Sequence, residues 1–160
     1  MITQTMIKEN FDYKDGELYW KVSPHGKIKI NALVGTINPK GYKITKLNGK
    51  CYRNHRIIFL MFHGYLPNCI DHIDGNSLNN KIENLRVASF SENGLNSKKP
   101  SNNTSGIKNV TWHKKLKKWR VRIAINKKMK TIGNYSDIEL ADLVAHEVRN
   151  KYHKEFARHQ

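Results

Sequence analysis

Acidic residues are scarce in this 160-residue chain: 13 Asp and Glu stand against 29 Lys and Arg, a formal net charge of +16. Between Glu92 and Asp137 lie twelve basic residues and no acidic one. Self-repulsion of that density is relieved by a polyanion, so nucleic acid is the expected partner. Cysteine is rarer still. Cys51 and Cys69 are the only two, too few for a disulfide scaffold and suited to a reducing compartment. No stretch approaches the roughly 18 uninterrupted apolar residues of a membrane span. The opening MITQTMIKENFDY has no basic region followed by an apolar run, so no secretory signal is read. These absences point to a soluble, cytoplasmic protein with no membrane partner. A hydrophobic fraction of 38% supports one or two compact cores but not one generous core.

The charge is unevenly placed. Residues 1–97 carry a net +5 and residues 98–160 a net +11. The first half opens with a β-rich region, about 1–50, of short strands and turns. Glu17–Val22 is strand-like, with turn signals at Lys14-Asp15-Gly16 and Pro39-Lys40-Gly41. Tyr42–Leu47 alternates apolar and polar residues, and Asn48-Gly49 then signals a hairpin. Ile57–Phe62 is a compact apolar run ended by Gly64 and Pro67, read as a buried helix ahead of a strand, a choice that periodicity alone does not settle. Residues 98–105 are polar with one proline and read as a linker. Beyond it, Val110–Trp112, Trp119–Ile125 and Met129–Ile132 read as three strands. A final helix is signalled by a Ser136/Glu139 capping box and by Ile138, Ala141, Val144, Ala145, Val148, Tyr152 and Phe156 at helical spacing.

The segment from 70 to 97 carries the chemistry. It contains Asp71-His72 followed by Asp74-Gly75-Asn76, then Asn79-Asn80, Glu83-Asn84-Leu85-Arg86 and Ser91-Glu92-Asn93. Cutting a phosphodiester requires a group that takes a proton from water near neutral pH, which suits imidazole. It also requires neutralisation of charge on the phosphate and leaving oxygen, which suits a hard cation on oxygen ligands. Neighbouring side chains on a strand point to opposite faces, so Asp71 and His72 share a site only where the strand bends or ends. The Asp74-Gly75-Asn76 turn supplies such an end. A Ser89/Glu92 capping box predicts a short helix from Phe90 to about Ser97 that carries Asn93. Cys51, His55, His63 and Cys69 match no familiar zinc spacing, and His55 reads as structural ahead of site-lining.

At these residues the sequence resembles the HNH endonucleases, particularly the group that includes phage-encoded homing enzymes. The string DHIDGN, LNN, ENLR and SEN, with HRIIFLMFHG before it, carries the resemblance over about residues 40–97. It implies a ββα-metal core at about 51–97 within a nuclease domain of residues 1–97. It further implies that Asp71 and Asn93 ligate one divalent cation, Mg²⁺ or Mn²⁺, and that His72 is the general base. Asn84 would hold the loop that orients His72. Arg56 and Arg86 are candidate phosphate contacts, with Arg86 equally readable as a structural ion pair.

Residues 105–157 are similar to the AP2 DNA-binding domain, through SGIKNVTWHKKLKKWRVRI and TIGNYSDIELADLVAHE. The implied fold for residues 106–160 is a three-stranded antiparallel sheet packed on one helix. The alternation of Trp119, Val121 and Ile123 leaves Arg120 and Arg122 on the open face, suited to the major groove. By position, Lys108, Thr111, His113, Arg122 and Lys130 would also meet DNA. The whole is expected to be α+β: a metal-dependent HNH homing-type endonuclease, expected to nick because one chain carries one site, tethered to an AP2-like reader of double-stranded DNA. No small-molecule cofactor is expected, and oligomeric state is not legible. The alternatives are a non-catalytic DNA-binding regulator with a decayed HNH core, and an RNA-binding protein.

Overall fold

A computed structural model describes residues 2–159. The chain divides into two compact units, Met1–Ser89 and Phe90–Gln160, the boundary falling ahead of the expected 98–105 linker.

The first unit begins with a helix, α1 (Gln4–Asn10), where only strands and turns were expected. Thr3 caps it by accepting from the Met6 amide, and the turn is held by burial of Ile7 rather than by propensity. Two strands follow, β1 (Phe11–Lys14) and β2 (Glu17–Trp20), joined through Asp15-Gly16. Both turn residues have positive φ, as a two-residue hairpin of this hand requires. Phe11 faces Trp20 across the pair with ring centroids 4.7 Å apart. A small sheet β3 (Thr36–Ile37), β4 (Lys43–Leu47), β5 (Lys50–Arg53) comes next, its last turn made at Asn48-Gly49 as the sequence indicates. The apolar run then forms α2 (Asn54–His63), ended by Gly64 in the left-handed region. Ile7, Phe11, Leu18, Val34, Ile57, Ile58 and Phe59 form the core of this unit.

The final pair of the unit is β6 (Cys69–His72) with β7 (Leu85–Ala88), antiparallel, in register Asp71↔Arg86 and His72↔Leu85. His72 is the last residue of its strand, where the Asp71-His72 pair was expected to need a strand end.

In the second unit, α3 (Phe90–Leu95) is shorter than the expected helix to Ser97. Strands β8 (Val110–His113), β9 (Lys118–Ile125) and β10 (Lys128–Tyr135) form an antiparallel sheet with β9 in the centre. The β9–β10 turn is Asn126-Lys127, both with positive φ. One helix, α4 (Ile138–His153), packs on the sheet. Its cap is Asp137, which accepts from the Glu139 and Leu140 amides, rather than Ser136. A carboxylate both accepts these bonds and complements the positive end of the helix dipole. Its buried stripe is Ala141, Ala145, Arg149 and His153, and Tyr152, expected inside, is exposed. The two alanines let the helix approach Val110 and Val121 closely. Among the described residues no helix is long and apolar enough to cross a membrane.

One buried polar network ties the first unit together. Thr45 Oγ1 donates to Asn54 Oδ1 (2.6 Å), and Asn54 Nδ2 donates to the Val34 carbonyl (3.0 Å). Gly35 lies against this network with φ +96°, and a Cβ there would sit 2.8 Å from the Ile44 carbonyl oxygen. Gly35→Ala is therefore expected to cost about 2 kcal/mol or more through backbone strain and overpacking. Urea denaturation checks this, and a loss below about 0.5 kcal/mol would mean that the network yields without cost.

Candidate active site

Asn84 sits at the end of a single 3₁₀ turn (Ile82–Asn84) leading into β7. Its side chain closes the long β6–β7 loop. Nδ2 donates to Asp74 Oδ1 (3.0 Å) and to the Asn79 carbonyl (2.8 Å), while Oδ1 accepts from the Asp74 amide (3.0 Å). Main-chain bonds from the Ile73 amide to the Asn84 carbonyl and from the Gly75 amide to the His72 carbonyl complete the frame. Asp74 is a hub of its own, accepting from the Asn76 amide and from Asn79 Nδ2. Desolvation opposes its ionisation, but the hydrogen bonds from Asn76, Asn79 and Asn84 outweigh it and hold the carboxyl below its ordinary range.

His72 emerges from this frame and is buried. Its Nε2 lies 3.0 Å from Asn80 Oδ1. The His55 ring, at the start of α2, meets it edge-on with centroids 4.9 Å apart. Tyr42, just ahead of β4, lies 5.7 Å from the His55 ring and 6.3 Å from the His72 ring, and the Arg53 guanidinium stacks on it at 4.2 Å. His55 is itself buried, and desolvation, then the His72, Arg53 and Arg56 charges, push its pKa down to about 3. It is a neutral wall to the site. Asp71 is also buried, and its Oδ2 receives both Nε (2.9 Å) and an Nη (2.8 Å) of Arg86.

Residues 52–95 match the family model described as HNH endonuclease, from β5 through α3. The chain is 37% identical over 113 residues to protein 3.8 of Escherichia phage T7, covering 68% of this chain and 91% of that one. The chain belongs to the protein 3.8 family and carries an HNH endonuclease domain. It is also 35% identical over 77 residues to an uncharacterised HNH endonuclease of Acanthamoeba polyphaga mimivirus, covering 47% of this chain and 41% of that one. No solved structure matches the chain significantly.

The HNH domain places Asp71, His72 and Asn84 on one strand pair and its loop. Asn93 lies on α3 in the second unit, at an exposed position. Among the described residues no group of three or more His, Cys, Asp or Glu is arranged to hold a metal. Asp71 offers a carboxylate, a hard oxygen donor of the kind that suits a cation such as Mg²⁺, which keeps several waters and takes substrate phosphate oxygens, rather than a closed zinc site.

Four expected DNA contacts are placed otherwise. Arg86 is committed to Asp71. Arg56 donates to the Pro67 carbonyl and closes the turn after α2. Lys108 is buried, its ammonium donating to the carbonyls of Leu95, the last residue of α3 (2.9 Å), and of Ser97 beyond it (2.6 Å). Burial, then Arg149 and Arg158, push the Lys108 pKa down to about 8. Lys130 pairs with Ile123, and directly opposed residues share a face, so it leaves the sheet on the helix side. By the same register Thr111 faces Arg120, His113 faces Lys118, and Thr131 faces Arg122, all on the side away from buried Val121 and Ile123. Arg120 Nε donates to Asn134 Oδ1 (3.0 Å), and His113 Nδ1 accepts from the Leu116 amide (3.1 Å). Trp119 packs on the core, while its partner Trp112 is 44% exposed.

Sequence reasoning missed Asn80 and Tyr42. Asn80 lies within the LNN string, but only the loop closure brings it against an imidazole eight positions earlier in the chain. Tyr42 carried no signal beyond strand alternation.

Histidine at position 55 has a pH consequence. The unfolded chain protonates it near 6.5 and the folded one near 3, so the unfolded state binds more protons between these values. Stability should fall as pH drops through that window, with this residue adding up to about 1.4 kcal/mol per pH unit. In His55→Gln the slope of melting temperature against pH should flatten below pH ~6. An unchanged slope would show that His55 is charged in the fold.

Proposed function

We propose that the protein is a metal-dependent DNA endonuclease in which His72 is the general base for hydrolysis of a phosphodiester bond. Membership of the HNH domain family supports a nuclease acting on DNA. The observation that carries the catalytic assignment is the placing of His72 at a strand end, on a loop locked by Asn84, beside a buried carboxylate. Asp71 is the proposed cation ligand. Asn93 as the second ligand rests on the sequence resemblance alone. A bound Mg²⁺ or Mn²⁺ supplies Lewis-acid stabilisation of charge on the phosphate and leaving oxygen. The chain's own residues do the rest. His72 accepts a proton from the attacking water, Arg86 holds the Asp71 carboxylate in a fixed rotamer, and Asn84 keeps the loop from relaxing.

The second unit is proposed to be an AP2-like reader. Its sheet exposes Arg122 and presents Arg120, Thr111 and His113 on the same side, while its helix covers the other. A basic sheet face of this width fits the major groove. Joining it to the nuclease by a tether raises the effective concentration of the cutter at its target. One site per chain implies nicking by a monomer. The homing role belongs to this proposal.

His72→Ala should lower the rate of plasmid nicking in Mg²⁺ by about 10²–10⁴-fold. Equal nicking by variant and parent would eliminate the enzyme and favour a DNA-binding regulator. In the reader, Arg120→Ala with Arg122→Ala should weaken duplex binding and reduce the slope of log affinity against log salt by roughly one to two. An unreduced slope in a gel-shift series would remove the sheet face from the DNA interface, and tighter binding of single-stranded RNA than of duplex would replace DNA as the partner.

A further inference from the structure

Asn80 is almost fully buried, 1% exposed, on the loop between β6 and β7. A buried asparagine normally spends both ends of its amide. Here Oδ1 meets His72 Nε2 at 3.0 Å, while Nδ2 is buried with no partner among the described residues. The contact with His72 is thus what the amide does in the fold, and it is kept in spite of an unsatisfied donor that costs about 1–3 kcal/mol.

The backbone beneath Asn80 is clamped from the opposite end of the first unit. Gly16, in the β1–β2 turn, packs directly on it: a Cβ there would lie 2.8 Å from the Lys81 amide nitrogen and 3.1 Å from the Asn80 carbonyl carbon. The Tyr13 hydroxyl accepts from the Ile82 amide at 3.0 Å. The amide of Asn80 itself donates to the Leu78 carbonyl. The β1–β2 hairpin therefore fixes the backbone from which the Asn80 side chain projects.

We propose that Asn80 is a positioning residue that sets the tautomer of His72. An amide oxygen only accepts, so the imidazole donates from Nε2, and its lone pair is carried by Nδ1. The general base then acts through Nδ1, and a chain free to exchange tautomers would present the protonated nitrogen for part of its time. His55, neutral and edge-on, restricts the ring's rotation without competing for that proton. The kinetic consequence rests on the nuclease reading; the tautomer does not.

The test is long-range ¹H–¹⁵N NMR of the His72 ring in the full chain, at a pH where the ring's own nitrogen shifts show it neutral, combined with single-turnover nicking. In the parent, hydrogen on Nε2 is expected; hydrogen on Nδ1 overturns the proposal. In Asn80→Leu the two tautomers should mix and the nicking rate should fall about tenfold or more with DNA affinity unchanged. Asn80→Asp keeps the accepting oxygen and should retain the Nε2–H form. Retention of that form in Asn80→Leu, or its loss in Asn80→Asp, overturns the proposal. Should Asn80→Leu not fold, Gly16→Ala replaces it, since its strained φ of +85° and new Cβ displace the Asn80 backbone from a distance. It should mix the tautomers in the same way, and an undisturbed Nε2–H form in that variant counts against the clamp. If the parent shows Nε2–H and responds to Asn80 but never nicks DNA, the nuclease reading fails and the positioning role stands.

Discussion

Everything chemical in the first unit depends on one side chain turned inward across a loop. Asn84 makes three hydrogen bonds to Asp74 and Asn79, each worth about 1 kcal/mol net and more if broken singly. Without them the twelve-residue, largely polar loop between β6 and β7 keeps little apolar anchoring beyond Ile82, which packs against the core. It would sample many conformations at about 1–2 kcal/mol of backbone entropy per residue. The loop is polar because it must expose chemistry, and it is ordered because its polar groups satisfy one another. Asp74, whose carboxyl is held below its ordinary range by hydrogen bonds from Asn76, Asn79 and Asn84, is the counterpart in this closure.

The same economy governs the charges. A chain with this excess of cations offers many candidates for touching DNA, and the fold uses several of them internally. Arg86 braces Asp71, Arg56 closes a turn, and Lys108 and Arg149 hold carbonyls in the interior of the second unit, Arg149 donating to the Lys108 carbonyl at 2.6 Å. Among those left exposed are Arg122 on the open sheet face and the lysines of the Lys114–Lys118 stretch. Charge count alone therefore overstates the number of phosphate contacts, while strand register identifies which basic residues share a face.

Much of this was legible before any coordinates. Strand alternation and the Asp-Gly and Asn-Gly signals locate the turns of the β1–β2 and β4–β5 hairpins, because turn chemistry and period-two burial are local. The end of β6 at His72 followed from the impossibility of two adjacent strand side chains sharing a site. What was not legible depends on long-range contact. The α1 helix has no strong periodicity, and it exists because Ile7 finds a core made by α2. Asn80 resembles its neighbour Asn79 in sequence, and only the folded loop decides which of the two meets His72. Arg149 and His153 occupy the buried stripe of α4 where an apolar pattern predicted Tyr152, since interior carbonyls of the sheet and loop satisfy their donors.

The most direct test of the central claim is Asn84→Ala, read by single-turnover nicking alongside Mn²⁺ titration of the same sample. If the loop closure is what aims His72, the rate should fall by about 10²-fold, as a misplacement of roughly 1 Å produces, while Mn²⁺ affinity stays that of the parent because Asp71 is still braced by Arg86. A folded variant that nicks at the parental rate would contradict the account.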